Sequence, residues 1–157
     1  DVQVIFNDLR PTQVELIKQI ASTKQVKDSF LHKKYDEKKL VGFGVDVVTR
    51  FGYDWTRGRQ DKAAHPFETS FSANDVRITT RFEVENPLAT LFSTMHEAGH
   101  AIYEQGVSLA YERTPLMHGT SLAVHESQSR MWENLVGRSK PFWKYFRTTR
   151  SQKKWII

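Results

Sequence analysis

The sequence predicts a mainly α-helical domain that contains a small β element. Four segments place apolar residues at the three- and four-residue spacing of a helix, whereas one segment alternates apolar and polar residues as a strand does. The chain has 157 residues, of which 39% are hydrophobic and 12% are aromatic. This length and composition suit one domain with its own core and exclude a disordered chain.

Two helices are predicted in the N-terminal third of the chain. Residues 1–10 have little pattern, and the first helix is expected to begin at Pro11 and end at Ser22. The second is expected over Tyr35–Gly52, although Gly42 and Gly44 lower its helix propensity. The apolar positions that indicate these helices are Val14, Leu16, Ile17 and Ile20, then Leu40, Val47, Val48 and Phe51.

A loop and a strand follow the second helix. Tyr53–Ala73 is predicted to be a loop because it contains Gly58 and Pro66. In Asp75–Val84 the even-numbered residues are apolar or threonine and the odd-numbered ones are polar, which predicts a strand with one buried face. The polar face either lines a cleft, where an extended substrate can add to a strand edge, or is merely solvated.

The third predicted helix runs between Asn86, a good N-cap, and Gly106, a plausible stop, with Pro87 at its first position. His96 and His100 lie just off the edge of its apolar stripe, where a cleft would separate the packed core from solvent. The stripe consists of Leu88, Leu91, Phe92, Met95, Gly99, Ile102 and Tyr103.

His96, Glu97 and His100 form an H-E-x-x-H motif on this helix, which is typical of zinc hydrolases. Residues four apart lie on one helix face, so both imidazoles can reach a single Zn²⁺. Glu97 lies about 100° further round the helix, where it can act on water but is poorly placed as a ligand. The alternative interpretation is an accidental match on an amphipathic helix.

The fourth predicted helix covers Thr120–Val136, with Thr120 or Ser121 as its cap and Gly137 at its end. Apolar residues cover much of its circumference, so we expect a buried helix. A buried carboxylate such as that of Glu126 needs either a metal or a paired charge.

A catalytic zinc uses three protein ligands and keeps one position open, so His96 and His100 need a partner. Glu104 is eight residues from His96, about 12 Å along the helix, which is too far for all three to share one ion. The extended metzincin pattern is excluded because this chain has Tyr103 and Gly106 where that pattern has Gly and His.

Glu126 is the preferred third ligand because its helix follows a loop that can return the chain to the metal. Glu112 lies in that loop, and Glu133 is expected farther from the metal. An ion pair between Glu126 and an arginine is the alternative. The neighbouring His125 either orients a ligand or the oxyanion, or is a core histidine with satisfied hydrogen bonds.

These side chains together predict hydrolysis of an amide or peptide bond. Zn²⁺ is the expected metal, with Co²⁺ or Mn²⁺ as alternatives, and it acidifies water and polarises a carbonyl group. Glu97 is the predicted general base, which takes the proton from the attacking water and returns it to the leaving amine.

Charge and composition exclude several other classes. The net charge is +5, but residues 147–157 contain four basic and no acidic residues, so the rest of the chain is close to neutral. Nucleic-acid binding is therefore not expected. The chain has no cysteine for a thiolate metal site or a disulfide, no apolar run of membrane-spanning length and no signal peptide.

Four ordered motifs resemble those of the carboxypeptidase Taq family of metallocarboxypeptidases. The family motifs H-P-F, D-x-R-x-T, H-E-x-x-H and H-E-[SG]-Q match the segments that begin at His65, Asp75, His96 and His125. The resemblance covers about residues 28–146, so residues 1–146 are interpreted as a central part of the catalytic domain. Residues 147–157 are interpreted as a basic tail that does not match the family.

The resemblance implies a cytoplasmic enzyme that removes C-terminal residues from peptides, with a mostly helical, two-lobed fold and a homodimeric assembly. It implies metal ligation by His96, His100 and Glu126 and general-base catalysis by Glu97. It also places four further residues near the substrate groove: His65, Asp75, Arg77 and Thr79. Because family members are much longer, this chain is expected to lack the arginine that binds the substrate carboxylate.

The sequence leaves two alternatives to a carboxypeptidase. One is another zinc peptidase with two histidine ligands and one glutamate ligand, either an aminopeptidase or an endopeptidase. The other is a non-catalytic fragment. Peptides blocked at one end distinguish the first alternative, and metal binding without turnover would indicate the second.

Overall fold

The computed structural model describes residues 1–149 and divides into two compact units, Asp1–Phe30 and a second unit that begins at Leu31. Most of the predicted basic tail, residues 150–157, lies outside the described part of the chain. Within residues 1–149, no helix is both long enough and apolar enough to cross a membrane.

The first unit contains one long helix, α1 (Val2–Ser22), which begins nine residues earlier than predicted. Asp1 caps it by accepting a hydrogen bond from the Gln3 amide, and Pro11 lies inside the helix. Pro11 suits the start of a helix because its missing N–H is not needed in the first turn, but here it lies in the interior. The apolar residues before it continue the helical spacing, but none of the side chains in α1 is buried.

The second unit begins with α2 (Glu37–Phe51), which confirms the second predicted helix to within two residues at its start. Asp36 caps the helix by accepting from the Lys39 amide. Gly52 ends it with a φ of 104°, a left-handed conformation that glycine adopts without steric strain.

The loop predicted over Tyr53–Ala73 is wrong, because two strands of a three-stranded sheet lie within it. After a 3₁₀ turn, β1 (Gly58–Lys62) and β2 (Glu68–Ser72) form the two edges, and β3 (Asp75–Thr80) lies between them. β1 pairs with β3 in parallel and β2 pairs with it antiparallel. Both edge strands are rich in polar residues, so their composition resembles that of a loop.

The predicted strand is present as β3 but ends at Thr80 rather than Val84. Val76 and Ile78 are fully buried and pack with alanines of the next helix, so the apolar face points towards that helix. Both edges of β3 are paired with other strands, so an extended substrate cannot add to β3 itself.

The central element of the second unit is α3 (Pro87–Gln105), as predicted. Asn86 caps it by accepting from the Ala89 amide. One side of α3 packs with α2 and a later helix, and another packs on the sheet, so most of the helix is enclosed. The two cores consist of Phe43, Val47, Leu91, Met95, Phe142 and Phe146, and of Val48, Tyr53, Val76, Ile78, Ala98 and Ala101.

The last helices are α4 (Leu122–Arg130), which continues as a π-helical segment over Met131–Gly137, and α5 (Lys140–Thr149). Ser121 caps α4, which is one of the two predicted caps. The predicted burial of α4 is wrong, since Leu122 is 88% exposed and only Ser129 among its residues is buried. The helix packs along one face against α3, and its apolar residues elsewhere remain exposed.

Candidate metal centre

Three side chains from two helices meet at one point beside α3. The Nε2 atoms of His96 and His100 lie 3.3 Å apart. The Oε2 atom of Glu126, on α4, lies 3.6 Å from His96 Nε2 and 3.3 Å from His100 Nε2. Within the described residues, this trio forms the group whose ligand atoms could hold a metal ion.

The size of this triangle fits a small tetrahedral metal ion. Ligand atoms that lie 2.0–2.1 Å from a zinc ion are about 3.3–3.4 Å apart at tetrahedral angles. The three distances between the donor atoms of His96, His100 and Glu126 lie at or slightly above this value. Three protein donors leave one of four positions for water or substrate.

Close contact between two helix backbones brings Glu126 to the histidines. Gly99 lies one turn along α3 from Met95, between the two histidines, and faces α4. A Cβ atom at Gly99 would lie 2.6 Å from Ser129 Cα and 2.9 Å from the Gln128 carbonyl oxygen. Any larger residue would push α4 away from α3. Sequence analysis placed Gly99 in the apolar stripe and missed this role.

Glu126 takes part in both of the interactions that the sequence left as alternatives. Its Oε1 atom accepts a hydrogen bond from Arg130 Nε at 2.8 Å, while Oε2 faces the histidines. The carboxylate is 45% exposed. Partial burial works to raise the pKa of Glu126, but the Arg130 hydrogen bond and the charge of His96 together lower it. The carboxylate is therefore ionised, as a metal ligand must be.

Glu133 orients His96, a role that the sequence analysis missed. Its Oε2 atom lies 3.0 Å from His96 Nδ1, and Arg138 donates to its other oxygen at 2.8 Å. A hydrogen bond at Nδ1 directs the Nε2 lone pair of His96 towards the metal position. The spacing could have indicated this role. Glu133 follows Glu126 by seven residues, about two helical turns, so the two lie on the same face of the predicted helix.

His100 is oriented by a second histidine. His125 Nδ1 lies 2.5 Å from His100 Nδ1, and His125 Nε2 lies 2.8 Å from Glu104 Oε1. His125 contacts a candidate ligand and both of its ring nitrogens have hydrogen-bond partners, so the structure fits both interpretations left open for it. Burial and the neighbouring His125 and His96 lower the pKa of His100 to about 4, so its ring is neutral at pH 7.

Glu97 is the candidate base. The side chain lines the same cleft as His96, and the residue is 8% exposed. Burial raises the pKa of Glu97 to about 7, with a smaller contribution from the negative charge of Glu126 and an opposing one from His96. A carboxylate that gains and loses a proton near neutral pH suits general acid–base chemistry.

A cleft of about 430 Å³ opens beside the trio. It brings together the predicted groove residue His65, the candidate base Glu97 and two arginines of the α4 region. The lining residues are His65, Pro66, Ala89, Phe92, Ser93, His96, Glu97, Arg130, Glu133 and Arg138.

The other predicted groove residues divide into two groups. The Thr79 hydroxyl accepts from the Phe67 amide at 3.0 Å and donates to the His65 carbonyl oxygen at 3.4 Å, so Thr79 holds the turn that reaches the cleft. Asp75 and Arg77 lie on the face of β3 opposite Val76 and Ile78 and form a bidentate ion pair at 2.7 Å. Both side chains are partly exposed and neither lines the cleft of His96 and Glu97, so their place near the substrate groove stays a prediction of the resemblance.

A sequence model of the carboxypeptidase Taq (M32) metallopeptidase family matches residues 1–154. The chain belongs to this family. Thermostable carboxypeptidase 1 of Thermus thermophilus is 44% identical over 143 residues, which cover 90% of this chain and 28% of that protein. Carboxypeptidase 1 of Bacillus subtilis is 39% identical over 140 residues, which cover 88% of this chain and 28% of that protein.

Solved structures of carboxypeptidases have the same fold over this region. The M32 carboxypeptidase from Deinococcus radiodurans matches with a TM-score of 0.91 and 46% identity, covering 98% of this chain and 31% of that one. Pyrococcus furiosus carboxypeptidase matches with a TM-score of 0.89 and 37% identity, covering 97% and 31%. The chain thus spans less than a third of the length of these relatives.

Family membership confirms two predictions. The chain is part of the metallocarboxypeptidase family that its four motifs indicated, and its fold is mainly helical with a small three-stranded sheet. A metallopeptidase family implies a divalent metal. The family match runs past residue 146 and includes much of the basic tail.

Proposed function

We propose that this chain supplies the metal centre of a metal-dependent carboxypeptidase, with His96, His100 and Glu126 as the ligands and Glu97 as the general base. The observation that supports this most directly is the triangle of Nε2, Nε2 and Oε2 atoms with sides of 3.3–3.6 Å. The arrangement proposed is zincin-like, with an H-E-x-x-H helix beside a sheet and the third ligand on a following helix.

Two imidazoles and one carboxylate favour Zn²⁺, and Co²⁺ or Mn²⁺ fit the same donor set. A bound ion of this kind supplies Lewis acidity, which acidifies water and polarises the scissile carbonyl group. The ionised Glu126 and the neutral His100 are already in the protonation states that ligation requires. Binding therefore needs no proton to leave either side chain at pH 7.

Glu97 performs the proton transfers. Its carboxylate takes a proton from the attacking water and delivers it to the amine that leaves. The raised pKa of Glu97 suits both steps, because a group that titrates near 7 both accepts and releases a proton readily at neutral pH. Neutralisation of Glu97 should therefore stop hydrolysis but leave the metal in place.

The cleft beside Glu97 accommodates the substrate. Pro66 and Phe92 supply apolar surface, and the guanidinium of Arg138 lies 4.1 Å from the centre of the Phe92 ring. A peptide substrate and cleavage from the C-terminus are inferred from the family membership. Homodimerisation and a cytoplasmic location remain predictions of the family resemblance.

Metal analysis and peptide assays test the proposal. We expect one Zn²⁺ per chain, no binding after His96→Ala, and retained binding without hydrolysis after Glu97→Gln. Hydrolysis should stop when the C-terminus of the peptide is amidated. Cleavage of amidated peptides would favour an aminopeptidase or endopeptidase, and unchanged Zn²⁺ affinity after His96→Ala would remove the metal centre.

The two assays distinguish peptide hydrolysis from metal binding. If the unmutated chain binds Zn²⁺ but cleaves neither free nor amidated peptides, the non-catalytic alternative is supported, while the proposed ligand set stands. An unmutated relative of full family length, assayed beside it, provides the positive control for hydrolysis, and the same relative with the substitution at the matching Glu provides the negative control.

A further inference from the structure

We propose that Glu104 is a positioning residue of the metal centre and that, acting through His125, it selects the tautomer of His100 that can bind a metal. The inference rests on the proposed role of His100 as a ligand. Glu104 was excluded as a ligand because of its distance along α3, and its contacts give it a different role.

The three side chains form a continuous chain of contacts. His125 stacks on His100 with ring centres 4.5 Å apart and planes 27° from parallel. Its Nδ1 atom faces His100 Nδ1 at 2.5 Å, and its Nε2 atom faces Glu104 Oε1 at 2.8 Å. Both distances require a proton between the two atoms, since two lone pairs would repel.

The direction of these hydrogen bonds follows from the metal site. The Nε2 atom of His100 faces Glu126 and His96, so in a ligand this atom must carry the lone pair and Nδ1 must carry the proton. His100 Nδ1–H then donates to His125 Nδ1, which leaves the proton of His125 on Nε2. That N–H donates to Glu104.

Glu104 can enforce this direction because its Oε1 atom faces a backbone N–H, which can only donate, and therefore acts as an acceptor. The residue is 4% exposed, and its Oε1 atom also accepts from the Gly119 amide at 3.0 Å. The Gly119 backbone closes over the pair so tightly that a Cβ atom there would lie 2.9 Å from His125 Cδ2. Glu104 is therefore held in place as an acceptor.

Loss of that acceptor would allow the opposite arrangement. His125 could carry its proton on Nδ1 and donate to His100 Nδ1, which would move the proton of His100 to Nε2 and block the metal position. Glu104→Gln tests this directly. It keeps the size of the side chain, but it can donate as well as accept, so it no longer selects one direction.

Glu68 provides the matched control. Its side chain is also buried, at 9% exposed, and its Oε2 atom lies 3.8 Å from the same His125 Nε2 atom. This separation is beyond hydrogen-bond distance, so Glu68 does not accept the His125 proton. Glu68→Gln also replaces a carboxyl group beside His125 by an amide, but it leaves the hydrogen bond between His125 and Glu104 in place.

The experiment compares the unmutated chain, Glu104→Gln and Glu68→Gln. Zn²⁺ affinity is measured by competition with a chelator, and the protonated ring nitrogen of His100 is identified in the metal-free chain by long-range ¹H–¹⁵N NMR. We expect Glu104→Gln to lose about 10–100-fold in affinity and to gain protonation at His100 Nε2. Glu68→Gln should match the unmutated chain in both measurements.

A double-mutant cycle separates positioning from general destabilisation. His125→Phe keeps a stacked ring but removes both nitrogens, so it should lower Zn²⁺ affinity, and adding Glu104→Gln to it should cause no further loss. Additive losses, or unchanged affinity and tautomer in Glu104→Gln, would overturn the inference. Failure of the unmutated chain to bind Zn²⁺ would instead contradict the proposed function, and the NMR measurement would still decide the tautomer. Should Glu104→Gln fail to fold, an unchanged affinity in His125→Phe alone would overturn the inference.

Discussion

Gly99 lies against the backbone of Ser129, and this contact sets the distance between the two helices that carry the candidate ligands. A Cβ atom at Gly99 would approach Ser129 Cα to 2.6 Å. The contact lies on α3 between His96 and His100 and on α4 three residues after Glu126. The geometry of the trio therefore depends on a residue with no side chain.

Gly99→Ala should separate α3 from α4 and lower Zn²⁺ affinity by at least tenfold. The added methyl group has to displace backbone atoms, which cannot move without moving Glu126. Chelator competition measures the loss. Gly44→Ala, where the new methyl would meet Thr94 Cγ2 at an ordinary 3.4 Å, should keep the affinity of the unmutated chain. Equal affinity in both variants would show that helix separation does not control the site.

Glu126→Ala should lower metal affinity by at least the 10–100-fold that is typical of outer-shell partners, and by more if Glu126 is a direct ligand. Arg130→Ala should cost at most a few-fold, because Arg130 is 58% exposed and its ion pair with Glu126 is screened by solvent. Calorimetric titration with Zn²⁺ measures the metal affinity of each variant. A larger loss in Arg130→Ala than in Glu126→Ala would assign the carboxylate a purely structural role.

Glu133→Gln should weaken Zn²⁺ binding by about 10-fold or more, since His96 would lose the carboxylate at its Nδ1 atom. Glu83 pairs with Arg81 at 3.0 Å, away from the trio, and Glu83→Gln is a suitable control. The measurement is Zn²⁺ affinity at one pH, with thermal unfolding of the metal-free chain as the test of fold. An affinity loss of the same size in both variants would point to a change in overall charge.

Metal removal should destabilise the protein because the ion joins two helices. Zn²⁺ at 100 times its Kd adds about 2.7 kcal/mol to the free energy of unfolding when only the folded chain binds it. Thermal unfolding with Zn²⁺ and with a chelator measures this difference. In His96→Ala the two unfolding curves should coincide, and a persistent Zn²⁺ effect there would place the ion elsewhere.

The buried phenol of Tyr53 should make the folded protein less stable at high pH. Its hydroxyl group donates to the Val76 carbonyl oxygen at 2.6 Å, the residue is 3% exposed, and burial raises the pKa of Tyr53 well above its usual range. The folded state therefore holds this proton more tightly than the unfolded state. The stabilisation is fully present below about pH 10 and is lost as the pH rises above that value.

Urea unfolding of the unmutated chain and of Tyr53→Phe between pH 8 and pH 11 tests this assignment. The free energy of unfolding of the unmutated chain should fall more steeply above pH 10 than that of the variant, which has no phenol to ionise. Parallel curves would mean that other groups cause the alkaline loss.

Local sequence was sufficient to predict a structural feature wherever all the residues that determine the feature lie in one segment. Asn86 and Pro87 predict the start of α3, and the spacing of His96 and His100 predicts a shared face. It was not sufficient for β1 and β2, because the polar residues of an edge strand resemble those of a loop until the pairing with β3 is known. The exposure of α4 was likewise mispredicted, since apolar content does not tell which neighbours are present.

The sequence by itself determined the helix that carries H-E-x-x-H, the candidate base and the family, because these depend on residue types at short, regular spacings. Only the tertiary structure decided which carboxylates reach which imidazoles. Glu126, Glu133 and Glu104 occupy three different positions around the histidines, at distances that depend on the backbone contact between α3 and α4. Hydrogen bonds extend only about 3 Å, so such assignments require the packing of segments that lie far apart in the chain.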